Sequence, residues 1–294
     1  MRRPISTCRV GSTVCLFPSA ARPSPASSSA LRLQFQSRSL GTSSPIEMEN
    51  PEFNIEPTAE ECAEVVRRLN GIQQEVTEVS QRLGLKQEPR LVAVSKTKPA
   101  ALVRACFEAG HVHFGENYVQ ELVTKSKQLP EGIKWRFIGH LQSNKCKQVL
   151  SVPNLDCVET VDSVKLATAL DKAAAAAGRT TPLSILVQIN TSGEESKSGA
   201  DPEKVVDVVK EIREKCSRLH FAGLMTIGRF DEHPEPDFRK LVECRKKVCD
   251  ELGLPVEQVE LSMGMSHDFK IAIEEGSTNV RVGSSIFGAR VYHK

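Results

Sequence analysis

The sequence predicts a (β/α)8 barrel, an α/β fold in a single domain, and three observations carry that expectation. Eight short apolar runs alternate with helical patterns from residue 91 onward, which implies a parallel sheet. From Met48 onward 247 residues remain (294 less 47), close to the roughly 250 that such a barrel uses. No Gly-x-Gly-x-x-Gly follows the first strand to favour the alternative, an open doubly wound sheet. Eight units closing on themselves fit a barrel better.

Thr58 and Glu61 stand at capping-box spacing, and apolar residues at Cys62, Val65, Val66, Leu69, Ile72, Val76, Val79 and Leu83 form a helical stripe ending at Gly84. The first strand is 91–95. Pro99 opens a helix over 99–109 that Gly110 stops. Strand 111–115 leads to helix 117–128, and Trp135-Arg136-Phe137-Ile138 to a helix near 143–150. The fourth strand is 155–159. Asp162 is expected to cap the next helix, whose alanine run closes at Gly178. Leu183 to Ile189 is the clearest buried strand, followed by helix 202–216. Strand 221–227 precedes a long helix over 235–252, strand 259–262 a helix over 267–275, and strand 279–282 a short helical turn after Gly283.

Composition removes several classes of function. A net charge of +2 gives no electrostatic footprint for nucleic acid. No apolar run approaches the roughly 20 residues of a membrane helix. Nine cysteines without a Cys-x-x-Cys pair argue against a disulfide framework or a structural zinc site, and suggest a reducing compartment. Seven histidines form no ligand pair, and His111 and His113 are expected to pack or meet solvent at a strand entrance. The first 46 residues hold six arginines, eleven serines and no acid, the pattern of an organelle transit peptide. Residues 1–47 are therefore expected to be a disordered extension, and 48–294 the barrel. The expected location is mitochondrial if residues 1–46 are translated and act as a transit peptide, and cytoplasmic otherwise.

In such a barrel the chemistry gathers at the C-terminal ends of the strands. Lys96, Asn117, His140, Asn190, Thr226, Ser262 and Arg281 fall at or near those ends. Phosphate sites are often built from the loops after strands seven and eight and a short extra helix, where Leu261 to Ser266 and Arg281 to Ser285 supply glycines and hydroxyls. Backbone amides of Gly283, Ser284 and Ser285 suit phosphate oxygens, and Ser262 adds a hydroxyl. The bland alternative is that these glycines only make turns. Lys96 is an amine at the end of a buried strand, where desolvation favours its neutral, nucleophilic form. Lys98 precedes Pro99, so its backbone is held extended at the rim and a solvated or phosphate-steering role fits it better. An amine facing a phosphate cradle suits a phosphorylated aldehyde, and pyridoxal 5′-phosphate (PLP), held as a covalent imine to Lys96, is the leading candidate. Arg281, the one charge in an apolar strand, would keep the pyridine nitrogen unprotonated if it donates there; a salt bridge to Glu116 or Glu159 is its competing role. Asn117 and Met263 complete the candidate cofactor-binding set. No catalytic residue and no metal ligand is assigned.

Residues 91–99, Phe114 to Glu121, Phe137 to Gln142, Gln188 to Lys197, Gly223 to Ile227 and the two phosphate segments together resemble the PLP homeostasis protein family, in order, across roughly residues 57–290. The resemblance implies a single barrel like the N-terminal domain of alanine racemase, a fold type III PLP protein. It also implies Lys96 as the cofactor lysine, Arg281 facing the pyridine nitrogen, and Ser262, Gly283 and Ser284 on the phosphate. His267 and the end at Val291 to Lys294 depart from the family pattern. The implied function is to hold PLP and deliver it, in vitamin B6 homeostasis, as a non-catalytic carrier acting as monomer or weak dimer. Apo PLP-dependent enzymes would be the recipients. The competing readings are an amino-acid racemase or lysine Schiff-base aldolase on the same barrel, and a scaffold in which the cofactor is structural. Against a racemase, only Tyr118 and Tyr292 are at hand in the sequence to serve as the second base, and neither is expected to lie in a second domain.

Overall fold

The computed structural model describes residues 56–194, 197–229 and 233–289. The expected N-terminal extension, Tyr292 and the C-terminal departure lie outside them, and the described residues form one compact unit. Eight parallel strands close into a barrel in sequence order. They are β1 (Arg90–Val94), β2 (His113–Glu116), β3 (Lys134–Phe137), β4 (Leu155–Val161), β5 (Leu183–Gln188), β6 (Leu219–Met225), β7 (Glu260–Ser262) and β8 (Asn279–Val282). Closure comes from β8 pairing with β1, with Arg281 in register with Val92. The open-sheet alternative is excluded.

Nine α-helices are described: α1 (Ala59–Arg82), α2 (Ala100–Glu108), α3 (Val119–Gln128), α4 (Cys146–Val149), α5 (Val164–Ala176), α6 (Val205–Lys215), α7 (Glu235–Leu252), α8 (Phe269–Glu274) and α9 (Ser284–Phe287). The capping box of α1 forms as its spacing predicts: the Thr58 amide donates to Glu61 Oε2 at 2.7 Å, and the Glu61 amide to Thr58 Oγ1 at 3.2 Å. The cap of α5 differs from expectation. Ser163 Oγ accepts from the Leu166 amide, while Asp162 accepts from the Ser163 hydroxyl. Two expected helices open as 3-10 turns, at Ser143–Lys145 and Pro202–Lys204, before α4 and α6. The apolar core fills the layer between sheet and helices, led by Trp135, Phe114, Phe137 and Phe238. No helix among the described residues is long and apolar enough to cross a membrane.

The barrel interior is charged. Arg136 donates to Glu159 Oε1 at 2.5 Å, to Asp156 at 3.1 Å and to Glu260 at 3.0 Å. A buried charge survives only when paired and hydrogen-bonded, and Glu159 meets that condition with Arg136, Ser262 and Asn279 as donors. Burial pushes its carboxyl up, but the Arg136 and Arg281 guanidiniums and the Ser262 hydroxyl outweigh it and hold the group below the usual carboxylate range. His111 and His113 lie at the opposite end of the barrel from Lys96. His111 packs edge-on against Phe114, and its Nε2 lies 2.8 Å from the His113 carbonyl.

Candidate functional site

At the C-terminal mouth the strand ends enclose a cavity of about 260 Å3. Lys96, Asn117, Arg281, Gly283 and Ser284, all picked from the sequence, line it together with Lys98. Each arrives by a different element: Lys96 on the turn leaving β1, Asn117 just after β2, Arg281 inside β8, and Gly283 and Ser284 at the start of α9. Asn117 Oδ1 is buried there with no hydrogen-bond partner. A buried acceptor left open costs free energy unless something fills it.

Arg281 is 4% exposed and is fixed by two bonds, one to Ser262 Oγ at 2.5 Å and one to the Thr226 carbonyl at 2.8 Å. Ser262 in turn donates to Glu159 Oε2 at 2.5 Å. Arg281 therefore reaches Glu159 through a shared hydroxyl, and Glu116 is engaged elsewhere, by Lys125 and Ser95. Burial pulls the Arg281 pKa down while Glu159 and Asp268 pull it back up. The side chain stays a guanidinium.

The amides expected to face a phosphate already have a protein partner. The amides of Gly283 and Ser285 converge on Ser266 Oγ, at 3.1 and 3.5 Å. An acceptor oxygen thus already sits where successive amides point, the arrangement that binds anions. Ser285 lies beside Ser266 in the neighbouring cavity rather than in the mouth itself. Ser262 and Met263 are not among the residues lining the mouth. Ser262 is fully buried and committed to Arg281 and Glu159, and Met263 is fully buried in the core. They are placed so because β7 ends at Ser262 and points its hydroxyl into the barrel. The residues of this loop that reach the mouth are Met265, Ser266 and His267. Counting on from the strand end, past Gly264 with its φ of 95°, would have pointed to them.

Of the other strand-end residues, Thr226 supports Arg281. His140, in the loop after β3, and Asn190, in the loop after β5, are held by the latter loop: His140 Nδ1 lies 3.1 Å from Ser198 Oγ, and Asn190 Nδ2 donates to the Glu194 carbonyl at 2.9 Å. Lys98 is half-buried, donates to the Ala289 carbonyl at 2.9 Å, and has its pKa lowered by burial and by Arg68. Its amine is thus tied to backbone at the rim of the cavity it helps to line. The group of residues that sequence reasoning did not find is Ser95, Glu116, Glu121 and Lys125, packed beneath Lys96.

The family model for the alanine racemase N-terminal domain matches residues 68–291. A mouse protein named pyridoxal phosphate homeostasis protein is 54% identical over 217 residues, covering 70% of this chain and 79% of its own length. The chain belongs to the pyridoxal phosphate homeostasis protein family. The member from Escherichia coli K12 is 38% identical over 240 residues, covering 79% of this chain and 99% of its own. Among solved structures, PipY of Synechococcus elongatus, determined with PLP bound, is 29% identical with a TM-score of 0.63, covering 76% of this chain and all of its own. The alanine-racemase-like barrel read from the sequence is the family's fold.

Proposed function

We propose that this protein binds PLP at the barrel mouth, holds it on Lys96 and hands it on to apo-enzymes without turning over a substrate of its own. The observation that carries the reading is the convergence in one cavity of an amine, a fixed guanidinium, an unpartnered amide oxygen and an amide cradle already holding an oxygen. Each fits one part of the molecule. The mouse and E. coli relatives bear the name of this function, and PipY has been solved with PLP bound.

Bound there, PLP would supply an aldehyde for covalent attachment and a ring whose electron-withdrawing power depends on protonation of its nitrogen. Lys96 is the attachment point, and its amine must be neutral to react. Arg281, clamped by Ser262 and Thr226, is a donor only, so a ring nitrogen facing it would stay unprotonated and withdraw electrons weakly. Asn117 offers the open acceptor. Gly283, Ser284 and Ser285, with Ser266 yielding its place, would hold the phosphate. A racemase needs a second base on the opposite face of the ring. Tyr118 is the one described tyrosine, and it is 52% exposed on the rim. A carrier fits this arrangement better than a catalyst.

Incubation with PLP, borohydride reduction and peptide mapping test the assignment. Wild type and Lys98→Ala are expected to carry the adduct at residue 96, and Lys96→Ala to carry none. A reduced adduct in Lys96→Ala of wild-type yield would overturn it. α-Proton exchange of amino acids is expected to stay near the rate of free PLP, and enzyme-like exchange would favour the racemase.

A further inference from the structure

Lys96 is presented by a tight turn whose backbone is strained. The Lys98 amide donates to the Ser95 carbonyl at 3.1 Å, closing a turn with Lys96 and Thr97 at its centre. Thr97 has a φ of 60°, the sole described non-glycine residue with positive φ. That is the third position of a type II turn, which normally takes glycine. A β-branched residue there is an outlier that surrounding structure must enforce.

The enforcing contacts come from α3 and the end of β2. Glu121 and Lys125 are four residues apart, so they share one face of α3. Glu121 Oε2 accepts from the Thr97 amide at 2.8 Å. Lys125 Nζ donates to the Ser95 carbonyl at 2.7 Å, to Glu116 Oε1 at 2.7 Å and to Glu121 Oε2 at 3.0 Å. Ser95 Oγ adds a bond to Glu116 Oε1 at 2.6 Å. The residues on both sides of Lys96 are thereby fastened to one ion cluster. Lys125 and Glu116 are 3% and 0% exposed in their side chains, and Glu116 Oε2 has no partner. Stability alone would be served better by apolar packing here and by glycine at 97.

Resting on the assignment of Lys96 as the attachment point, we propose that Glu121, Lys125 and Glu116 are positioning residues: they hold Thr97 in its left-handed conformation and so fix the Lys96 amine over the mouth. Glu121 is the one to test, because its removal still leaves Lys125 and Glu116 as a balanced pair.

Four variants and two readouts decide it. Hydrogen exchange of the segment 95–98 is followed in the protein without PLP, and the rate of borohydride-trapped attachment at Lys96 with PLP added. Glu121→Ala is expected to lose about tenfold in protection and to slow attachment about tenfold, the scale of one charge-assisted bond. Glu121→Gln keeps an acceptor and is expected to stay within about twofold of wild type. Adding Thr97→Gly to Glu121→Ala removes the strain and is expected to restore attachment to within about threefold. Glu121→Asp keeps the charge but withdraws the acceptor by one methylene, and is expected to be slow like the alanine variant; it carries the test should that variant not fold. The positioning role is overturned if Glu121→Ala and Glu121→Asp attach PLP at the wild-type rate, or if the glycine double variant stays as slow as Glu121→Ala. A wild-type protein that forms no adduct at Lys96 overturns the carrier reading and the positioning role with it, whereas normal attachment in every variant removes the positioning role alone.

Discussion

Arg281 depends on a hydroxyl rather than on a carboxylate in direct contact, which makes Ser262 more than a spacer. Its oxygen accepts from Arg281 and donates to Glu159, so one small side chain satisfies two buried charges at once. Ser262→Ala would leave a guanidinium N–H and a carboxylate oxygen short of a partner in a dry interior. The expected loss of folding stability is about 1–3 kcal/mol, read from urea denaturation of the free protein. PLP retention should fall as well, because the guanidinium can then swing within the mouth. Glu159→Gln removes the charge that both arginines face, and about 3–5 kcal/mol is expected. Equal denaturation midpoints for Ser262→Ala and wild type would mean that Thr226 alone fixes Arg281.

Between elements, the mouth owes its shape to how closely strand ends approach. Gly139, just after β3, has no room for a side chain: an added Cβ would sit 1.9 Å from the Asn117 carbonyl oxygen. Backbone cannot yield as a flexible side chain does. Gly139→Ala is therefore expected to push the Asn117 segment aside, cost about 2–4 kcal/mol by overpacking and abolish PLP binding. Gly178→Ala, at φ of 66° with open space around it, should cost about 1 kcal/mol through backbone conformation and leave binding intact. Thermal unfolding of the two variants separates crowding from conformation. Such contacts explain what could and could not be read from the chain. Strands β5 and β8, the capping box and the long α7 were legible, because apolar period and caps are local signals. Lys96, Arg281 and the Gly283 turn were legible because strand ends in a barrel point one way. That Ser262 turns into the barrel while Ser266 reaches the mouth was not, since the choice of face at the end of a three-residue strand depends on register with β6 and β8. The ion cluster beneath Lys96 joins residues 95, 116, 121 and 125 from three elements, and no short motif spells it.

Across the whole molecule the barrel separates two kinds of chemistry by its length. The proposed PLP site lies at the C-terminal mouth, while the far end carries His111, His113 and His220 around a wider cavity of about 1060 Å3. His113 begins β2, and its Nδ1 is buried without a partner. Burial, with the Arg90 cation nearby, pushes its pKa down from 6.5 to about 4, against a weaker upward pull from Asp156. A group depressed on folding binds fewer protons in the native than in the unfolded chain between the two values. Stability from His113 is therefore complete above pH 6.5 and lost as pH falls towards 4. The shift alone corresponds to roughly 3 kcal/mol, which solvent around a half-buried ring reduces to about 1–2 kcal/mol. Glu159 acts with the same sign at lower pH, since its carboxyl is also held down. Glu116 has the opposite sign, because burial raises it. Urea denaturation at pH 7, 5.5 and 4 is expected to show His113→Gln losing about 1–2 kcal/mol less than wild type over that span. Parallel losses would place the acid sensitivity in the carboxylates instead. The same variant should attach PLP at Lys96 at the wild-type rate at pH 7, because a neutral side chain replaces a neutral one at the end of the barrel away from the mouth.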